Sequence, residues 1–432
     1  MRSYPRVLVL SNECFSDSTS NGRSLRNFFA GWPVEKLAQF YIHGLQPDPD
    51  TCHRYYCVSD GAALRSFLKG KPANGKRTVS SGENVPPAGK RSGIRRNAVT
   101  VLLRELVWSS MRWAGCAFYE WVEEFKPELI LLQAGDSAFM LRLARKLAQK
   151  YGKPLILYNT EAYYFKKFDY FRARGLAKAV YPLFHRYFSG EFEKTIRVAG
   201  CSVYCCDKLK QDYDACFGLP SQVIYTTTQQ SCEDNTQRGE KLRISYLGNL
   251  GVGRHMGLVE IGNALQEISP ELKLDVYGKL PNEEVRQAFA ECRGICYRGF
   301  VSYGEVQKII AASDILIHTE SFTAFYREDL KYAFSTKIAD SLASGRCFLL
   351  YAPKELACTE YLAKHEAAWV VDSQTALMPT LKKLVREPAE REKYTGRAVQ
   401  LAKENHSLEK NVRQFQTLLQ AYTEEKHESF TG

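Results

Sequence analysis

The sequence predicts an α/β fold built from two doubly wound parallel sheets. Short apolar segments typical of buried strands alternate with helical segments, first over residues 1–230 and again over residues 241–405. Such alternation is typical of parallel sheets that helices cover on both faces. A chain of 432 residues is long enough to bury two cores. The polar residues 231–240 separate the two series, and we expect them to link two domains.

The composition is that of an ordinary globular protein, with 45% hydrophobic and 25% charged residues. No apolar segment approaches the roughly 18 residues that would span a bilayer. The N-terminus leads directly into a predicted strand rather than a signal peptide, and the 13 cysteines have no regular spacing. We therefore expect reduced thiols, a cytoplasmic location and no metal site.

Positive charge is concentrated in the first half of the chain. The net charge is +11; residues 1–230 contain 33 Lys and Arg against 20 Asp and Glu, whereas residues 231–432 contain 26 against 28. The first half is therefore predicted to meet an anionic partner, whether a lipid headgroup, a polyanionic glycan or nucleic acid.

A basic segment interrupts the strands of the first half. Strands are predicted at residues 6–11, 37–42, 54–59, 128–133, 154–158, 201–204 and 221–225, with a helix over residues 100–125. Residues 69–97 contain eight Lys and Arg, three prolines and one acidic residue, and cannot bury enough surface to offset the entropy of ordering. We predict a mobile basic loop, which is either drawn to an anionic surface or simply solvated.

Two acidic residues follow neighbouring predicted strands of this half. Asp136 comes after the strand at residues 128–133, and Glu161 comes after the strand at residues 154–158. Ligands of open α/β sheets collect at the carboxyl ends of the strands. Asp136 and Glu161 are therefore the acidic residues that we expect to face a ligand from this half.

Aromatic and basic side chains are interleaved over residues 158–192, with twelve Tyr or Phe and six Lys or Arg. This mixture suits a membrane interface, where rings lie at headgroup depth and cations meet lipid phosphates. The alternative is a partly buried aromatic helix pair. We favour the membrane interpretation.

A glycine-rich loop dominates the second half. The strand at residues 244–247 is followed by Gly248, Gly251, Gly253 and Arg254, and then by apolar residues at helical spacing. Glycines let backbone amides turn toward a bound anion, and the planar guanidinium of arginine suits phosphate. The loop is therefore either a phosphate site or an ordinary tight turn.

A second candidate site begins a later helix. Ser335 is a natural N-cap, so the free amides of Ser335, Thr336 and Lys337 should face whatever lies at the positive end of the helix. Asp340 shares a face with Lys337. The amides and Lys337 would hold phosphate while Asp340 accepts hydrogen bonds from a ribose; the alternative is a surface ion pair.

Together these segments resemble the C-terminal half of GT-B glycosyltransferases of the family 4 type, whose segment STKIxEYLASGxP is similar to STKIADSLASGRC here. The resemblance implies two Rossmann-like domains facing across a cleft. Residues 1–230 would form the acceptor-side domain and residues 241–405 the nucleotide-sugar domain. A C-terminal helix in residues 406–432 would return to the first domain. In this family the first loop faces the donor or acceptor, so Gly22, just ahead of a predicted helix, is either a donor contact or a turn residue.

The sequence also departs from the family pattern. Many members carry Glu-x7-Glu, in which the second acidic residue contacts the ribose. If Asp340 is that residue, the first position falls on Tyr332, which is not acidic. We assign the sugar contact to Glu320 instead, because it directly follows a predicted strand. Glu161 stands where the family often has a histidine, and His318 is either a ligand or a core residue.

The predicted function is therefore transfer of a hexose from a nucleotide diphosphate sugar to a glycan or lipid-linked glycan, with retention implied by the resemblance alone. We expect no cofactor or metal and a peripheral contact with the cytoplasmic face of an anionic membrane. A nucleotide-sugar epimerase of the same fold is one alternative. A noncatalytic protein that binds anionic glycan or nucleic acid is another, although no RNA-binding signature supports it.

Overall fold

The computed structural model describes residues 4–80, 95–230 and 241–428. The predicted linker at residues 231–240 and residues 81–94 of the predicted basic loop lie outside the described residues. The chain divides into two compact units. Unit 1 is Met1–Ile224 with Asn411–Gly432, and unit 2 is Tyr225–Lys410.

Strands and helices alternate through both units. The strands of unit 1 are β1 (Val7–Ser11), β2 (Leu37–Tyr41), β3 (Arg54–Cys57), β4 (Lys76–Thr78), β5 (Leu129–Ala134), β6 (Leu155–Asn159), β7 (Cys201–Tyr204) and β8 (Ser221–Val223). Those of unit 2 are β9 (Ile244–Leu247), β10 (Leu274–Tyr277), β11 (Ile295–Gly299), β12 (Ile315–Thr319), β13 (Cys347–Tyr351) and β14 (Trp369–Val371).

The helices of unit 1 that precede unit 2 are α1 (Ser20–Phe28), α2 (Asp60–Lys69), α3 (Ala98–Ser109), α4 (Gly115–Phe125), α5 (Ala138–Tyr151), α6 (Leu176–Ala179), α7 (Tyr181–Ile196) and α8 (Asp207–Phe217). Unit 2 contains α9 (Arg254–Ile268), α10 (Glu283–Glu291), α11 (Tyr303–Ala312), α12 (Ala324–Leu330), α13 (Thr336–Ala343), α14 (Ala357–Lys364), α15 (Gln374–Arg386), α16 (Pro388–Glu392) and α17 (Thr395–Asn405). The final helix is α18 (Leu408–Glu428).

The predicted doubly wound sheets are confirmed. The strand order is β4-β3-β2-β1-β5-β6-β7-β8 in unit 1 and β11-β10-β9-β12-β13-β14 in unit 2. Neighbouring strands are parallel, except that β4 is antiparallel to β3 at the edge of the first sheet. The central strands β1, β5 and β6 are buried along their whole length, as expected when helices cover both faces.

Two segments differ from the sequence prediction. The strand β4 lies inside residues 69–97, which the sequence assigns to a loop, and its partly exposed Lys-Arg-Thr sequence carries no apolar alternation that could have revealed it. The helix predicted over residues 100–125 is divided into α3 and α4. The break occurs where Met111 adopts a left-handed backbone with φ 54°, and the Trp113 indole donates to the carbonyl of Trp108.

The aromatic run at residues 158–192 lies largely inside unit 1. Tyr158, Tyr181, Phe184, Phe188 and Phe192 are all buried. Successive rings along α7 lie against one another, with centroids 5.8 to 6.3 Å apart. These rings therefore form a packed aromatic layer, in line with the alternative interpretation of this run. No helix in the part of the chain that the structure describes is long and apolar enough to cross a membrane.

The final helix completes the core of unit 1. Phe415 is fully buried, stacks on Phe28 with ring centroids 4.8 Å apart and meets the edge of Phe29. Further along α18, the Tyr422 hydroxyl donates to the carbonyl of Gly200. Unit 1 thus takes core side chains from both ends of the sequence.

Phe415→Ala should lower the free energy of unfolding of unit 1 by about 3–5 kcal/mol, the usual cost of removing a buried aromatic ring. Thr417→Ala, on the exposed face of the same helix, should change it by less than about 0.5 kcal/mol. Urea unfolding followed by tryptophan fluorescence measures both variants. Equal unfolding curves for the two variants would contradict the assignment of Phe415 to the core.

Candidate functional site

The second sheet has a topological switch point between β9 and β12. From β9 the chain winds outward through β10 to β11, and from β12 it winds the other way through β13 to β14. Ligands of open α/β sheets bind beyond the carboxyl ends of the strands at such a point. The glycine loop follows β9 and Glu320 follows β12, so these predicted site residues flank the switch point.

The glycine loop approaches its neighbours too closely for larger residues. Gly253 has φ +74°, and a Cβ there would lie 2.5 Å from the Tyr326 ring. Two of the loop amides are already used: Gly248 N–H donates to the carbonyl of Tyr277, and Gly251 N–H donates to the side chain of Asn249. The loop therefore brings Arg254, the first residue of α9, close to the strand ends rather than offering every amide to a ligand.

Arg254 and Glu320 form a bidentate ion pair beneath this loop. Arg254 Nε donates to Glu320 Oε2 at 2.8 Å, and Nη2 donates to Oε1 at 2.9 Å. His318 Nε2 lies 3.2 Å from the same Oε1. Glu320 is fully buried. The two bonds to Glu320 use Nε and Nη2 of Arg254 and not Nη1.

The charges of this pair depend on each other. Burial favours the neutral acid, but the Arg254 guanidinium and His318 outweigh that effect and hold the pKa of Glu320 below its ordinary value. Burial likewise disfavours the charged arginine, whereas Glu320 raises the pKa of Arg254 above its ordinary value. Removing either charge would leave the other buried and unpaired, which is costly.

The second candidate segment also lies at the carboxyl edge of this sheet. Because α13 runs antiparallel to β13, which follows it, the first turn of α13 lies at the same sheet edge as the ends of β9 and β12. Ser335 caps the helix by accepting a hydrogen bond from Lys337 N–H. The cap therefore lies where the sequence predicts it, and the partial positive charge of the helix points toward the switch point.

Asp340 is buried rather than on the surface. Its Oδ1 accepts a hydrogen bond of 2.7 Å from the Thr228 hydroxyl, and its Oδ2 lies 3.7 Å from Lys337 Nζ. Thr336 is partly exposed in the first turn of the same helix. The structure thus brings Lys337 and Asp340 together, and it adds Thr228, which the sequence analysis did not single out because it lies 112 residues away.

A buried histidine joins the two ends of unit 2 beside Thr228. His406 Nδ1 lies 2.8 Å from the Thr226 carbonyl, and Nε2 lies 3.0 Å from the Tyr361 hydroxyl. The Thr228 N–H donates to the carbonyl of His406. Burial lowers the pKa of His406 from 6.5 to about 4, and the hydrogen bond to Thr226 offsets only part of this shift. His406 is therefore neutral at physiological pH.

The predicted acidic residues of unit 1 have different surroundings. Asp136 is buried after β5, where it accepts hydrogen bonds from Arg96 at 2.5 Å and from the Tyr170 hydroxyl at 3.0 Å. Glu161 is exposed after β6, with Lys166 Nζ at 3.4 Å. The two therefore follow neighbouring strands, as predicted, but they do not share partners.

The predicted position of Gly22 ahead of its helix requires a correction. The helix begins at Ser20, before Gly22, because the Thr19 side chain caps it by accepting a hydrogen bond from Gly22 N–H. Gly22 is thus the third residue of α1, and its amide is used in the cap. A Cβ at this position would lie 2.6 Å from the carbonyl of Cys14, so close packing accounts for the glycine.

An aromatic ring that the sequence analysis missed lies at the same edge of the second sheet. Phe300 directly follows β11, its ring is 67% exposed, and Lys279 Nζ lies 4.5 Å from the ring centroid. The feature that marks this ring as a candidate ligand contact is its exposure at a strand end, and exposure cannot be read from the sequence.

Within residues 4–80, 95–230 and 241–428, no group of three or more His, Cys, Asp or Glu is arranged to hold a metal.

Comparison with known proteins gives a family match and several similar folds. Residues 259–417 match the family model described as glycosyl transferase-like. Sucrose-phosphate synthase from Thermosynechococcus elongatus is similar in structure, with a TM-score of 0.62, 11% identity and coverage of 96% of this chain and 98% of that chain. HepE from Anabaena, in complex with UDP, has a TM-score of 0.61, 12% identity and coverage of 96% and 100%.

The lipopolysaccharide outer core galactosyltransferase WaaB, in its apo form, is also similar, with a TM-score of 0.54, 12% identity and coverage of 95% of this chain and 98% of that chain. At these identities the likeness concerns the fold alone. No curated protein sequence matches the chain.

His406 should make unit 2 sensitive to acid. Between pH 6.5 and about 4 the unfolded chain binds a proton that the folded chain does not, so the free energy of unfolding should fall as the pH drops. From about pH 7 to about pH 5 the loss due to His406 should be about 2 kcal/mol. His406→Asn keeps a donor for Thr226 but cannot titrate, so its unfolding free energy should fall less over the same range. Parallel pH dependences in denaturant titrations would contradict this role.

Proposed function

We propose that the chain is a nucleotide-sugar glycosyltransferase of the GT-B fold, and that it transfers a hexose, with retention of configuration, to a glycan or lipid-linked glycan. The family match over residues 259–417 and the similar folds support this proposal. One observation carries the donor half of this proposal. The Gly248–Gly253 loop, Arg254 and the first turn of α13 lie at the carboxyl edge of one sheet, beside its switch point.

This edge suits a nucleotide diphosphate. Arg254 supplies a guanidinium, Lys337 an ammonium and the α13 N-terminus a partial positive charge. Transfer of the sugar leaves a diphosphate whose negative charge must be stabilised, and prepositioned cations do this without being rearranged during the reaction. UDP is the first nucleotide to test, because the structure of HepE that this chain resembles contains it.

Glu320 acts through Arg254 in this proposal. Both of its oxygens are engaged, and the side chain is fully buried, so it orients the guanidinium rather than touching the sugar. Arg254 Nη1, which is not bonded to Glu320, is the nitrogen we assign to the donor phosphate. Glu320 is therefore a positioning residue in this proposal rather than the sugar contact predicted from the sequence.

The ribose would bind at Asp340, as the resemblance implies. In this structure the Asp340 carboxylate accepts a hydrogen bond from the Thr228 hydroxyl. The hydroxyl groups of a bound ribose would donate to the carboxylate either beside Thr228 or in its place. Phe300, exposed at the end of β11, offers an apolar face for the base at the same sheet edge.

The acceptor would be bound by unit 1. Glu161 is the exposed carboxylate at the end of β6 and is available to an acceptor hydroxyl. Asp136, fixed by Arg96 and Tyr170, would order the surrounding loops instead.

The proposed location is the cytoplasm, at the inner face of an anionic membrane. The twelve cysteines within the described residues are free thiols, which accords with this location.

The diphosphate assignment can be tested without leaving a buried charge unpaired. The double variant Arg254→Met with Glu320→Gln removes both charges together, so the fold should persist. It should weaken UDP binding by about 1.5–3 kcal/mol, the scale of a charge-assisted hydrogen bond, but leave uridine binding unchanged. Lys337→Met should show the same contrast.

Isothermal titration calorimetry with UDP and uridine measures both ligands. Arg293→Met is the matched control, because exposed Arg293 precedes β11 and so lies at the opposite edge of the sheet. Wild-type affinity for UDP in both test variants would refute the phosphate assignment.

The ribose assignment has its own signature. Asp340→Ala should weaken binding of UDP by about 1–3 kcal/mol, whereas 2′,3′-dideoxy-UDP should bind the variant and the wild type equally. Thr228→Val removes the present hydrogen-bond donor to Asp340 but leaves the carboxylate, so it should retain the preference for UDP over the dideoxy analogue. If Asp340→Ala weakens both ligands alike, Asp340 has a structural role only.

A further inference from the structure

Helix α3 exposes leucines and buries a carboxylate. Leu103 and Leu106, three residues apart on α3, are both exposed, whereas Glu105 is buried and accepts a hydrogen bond of 2.7 Å from Phe139 N–H. Burial raises the pKa of Glu105 to about 7. A helix facing water normally shows the opposite pattern, with acids outside and leucines inside. The exposed face of α3 is therefore apolar without being part of the core.

Further exposed leucines lie on the helices that contact α3. This set, which we call the leucine surface, comprises Leu64 and Leu68 on α2, Leu103 and Leu106 on α3, Leu176 on α6 and Leu183 on α7. Their side chains are between 46% and 76% exposed. Helices α2, α6 and α7 each contact α3. Isolated exposed leucines are ordinary, but six on four contacting helices are a feature that needs an explanation.

The exposed charges on the helices of the leucine surface are mostly positive. Exposed cations stand on the same helices or beside them: Arg65, Lys69, Lys71, Arg112, Arg174, Lys178 and Arg186. Residues 60–71, 98–112 and 174–187 contain only two acids, Asp60 and Glu105. Asp60 is paired with Arg104, and Glu105 is buried. In these three segments, exposed leucines therefore lie among exposed cations, and the one partly exposed acid, Asp60, is already paired, which matches the chemistry of an anionic lipid surface.

We propose that the leucine surface docks the protein onto an anionic membrane. The leucines enter the acyl boundary, and the long Lys and Arg side chains reach the lipid phosphates from the rim. This assigns the membrane contact to the exposed leucines of α2, α3, α6 and α7 rather than to the rings of the aromatic run, since the large rings along α7 are buried. It deepens the proposed peripheral location but does not depend on the donor site in unit 2.

The two kinds of side chain predict two kinds of salt response. Cation attraction is screened within about 10 Å at 0.1 M salt, whereas burial of leucine does not weaken with salt. Binding of the wild type to phosphatidylcholine vesicles containing phosphatidylglycerol should therefore fall as salt rises but persist in part. Vesicles of phosphatidylcholine alone should bind much less.

Vesicle flotation tests the assignment. Leu103→Ser with Leu106→Ser should reduce the fraction bound about tenfold, mainly by weakening the salt-resistant part. Arg174→Gln with Lys178→Gln should instead reduce the salt-sensitive part. Val198→Ser is the matched control, because exposed Val198 lies 15 residues beyond Leu183, about 20 Å further along the axis of α7 and the turn that follows it.

Three readings separate this proposal from its rivals. Near-ultraviolet circular dichroism checks that unit 1 of each variant is folded. A thermal shift with UDP reports the donor site independently. Failure of the membrane proposal would therefore not imply failure of the proposed donor site, and the reverse also holds. Flotation of the leucine variant at wild-type levels, or equal binding of the wild type to both kinds of vesicle, would overturn the proposal. So would a change of mass in light scattering for the leucine variant, because it would identify the surface as a protein interface.

Discussion

The ion pair between Arg254 and Glu320 is the constraint on which the second unit depends. A fully buried carboxylate is tolerated only because the guanidinium meets both of its oxygens, and the guanidinium is held at the strand ends by the same contact. The loop that leads into Arg254 is constrained as well, since Gly253 has φ +74° and a Cβ there would meet Tyr326. The ion pair, the glycine loop and the strand ends therefore lie together. A ligand phosphate that bound there would meet a guanidinium that is already in position.

Most of the fold could be predicted because buried parallel strands leave a strong sequence signal. Continuous apolar runs such as those of β1, β5 and β6 identify themselves, and alternation with helices identifies the sheet as parallel. The strand β4 left no such signal, because its side chains are partly exposed and it is held by backbone pairing to β3. The break after α3 depends on a left-handed Met111, a conformation that no residue type announces.

The candidate site was predictable in part. Motif residues could be placed close to the correct elements: Ser335 caps α13 as expected, and Arg254, expected in the glycine loop, is the first residue of α9 directly after it. Their partners could not, because they are distant in sequence: Thr228 reaches Asp340 across 112 residues, and Glu320 reaches Arg254 across 66. The aromatic run shows the same difficulty for surfaces. Composition reveals how many rings a segment has, but only packing decides which of them meet solvent.

The hydrogen bonds around His406 have a consequence for how the chain is divided. Thr226 and Thr228 lie at the start of unit 2, and His406 lies near its end. His406 Nδ1 lies 2.8 Å from the Thr226 carbonyl, and the Thr228 N–H donates to the carbonyl of His406 at 3.0 Å. Unit 2 thus enters and leaves at one place, as an insertion that interrupts unit 1. A gene fragment encoding residues 225–410 would carry a whole core. One that stopped at residue 224 would not, because it would omit Phe415 from the layer it shares with Phe28. The first unit of this protein can therefore be complete only after the second has been synthesised.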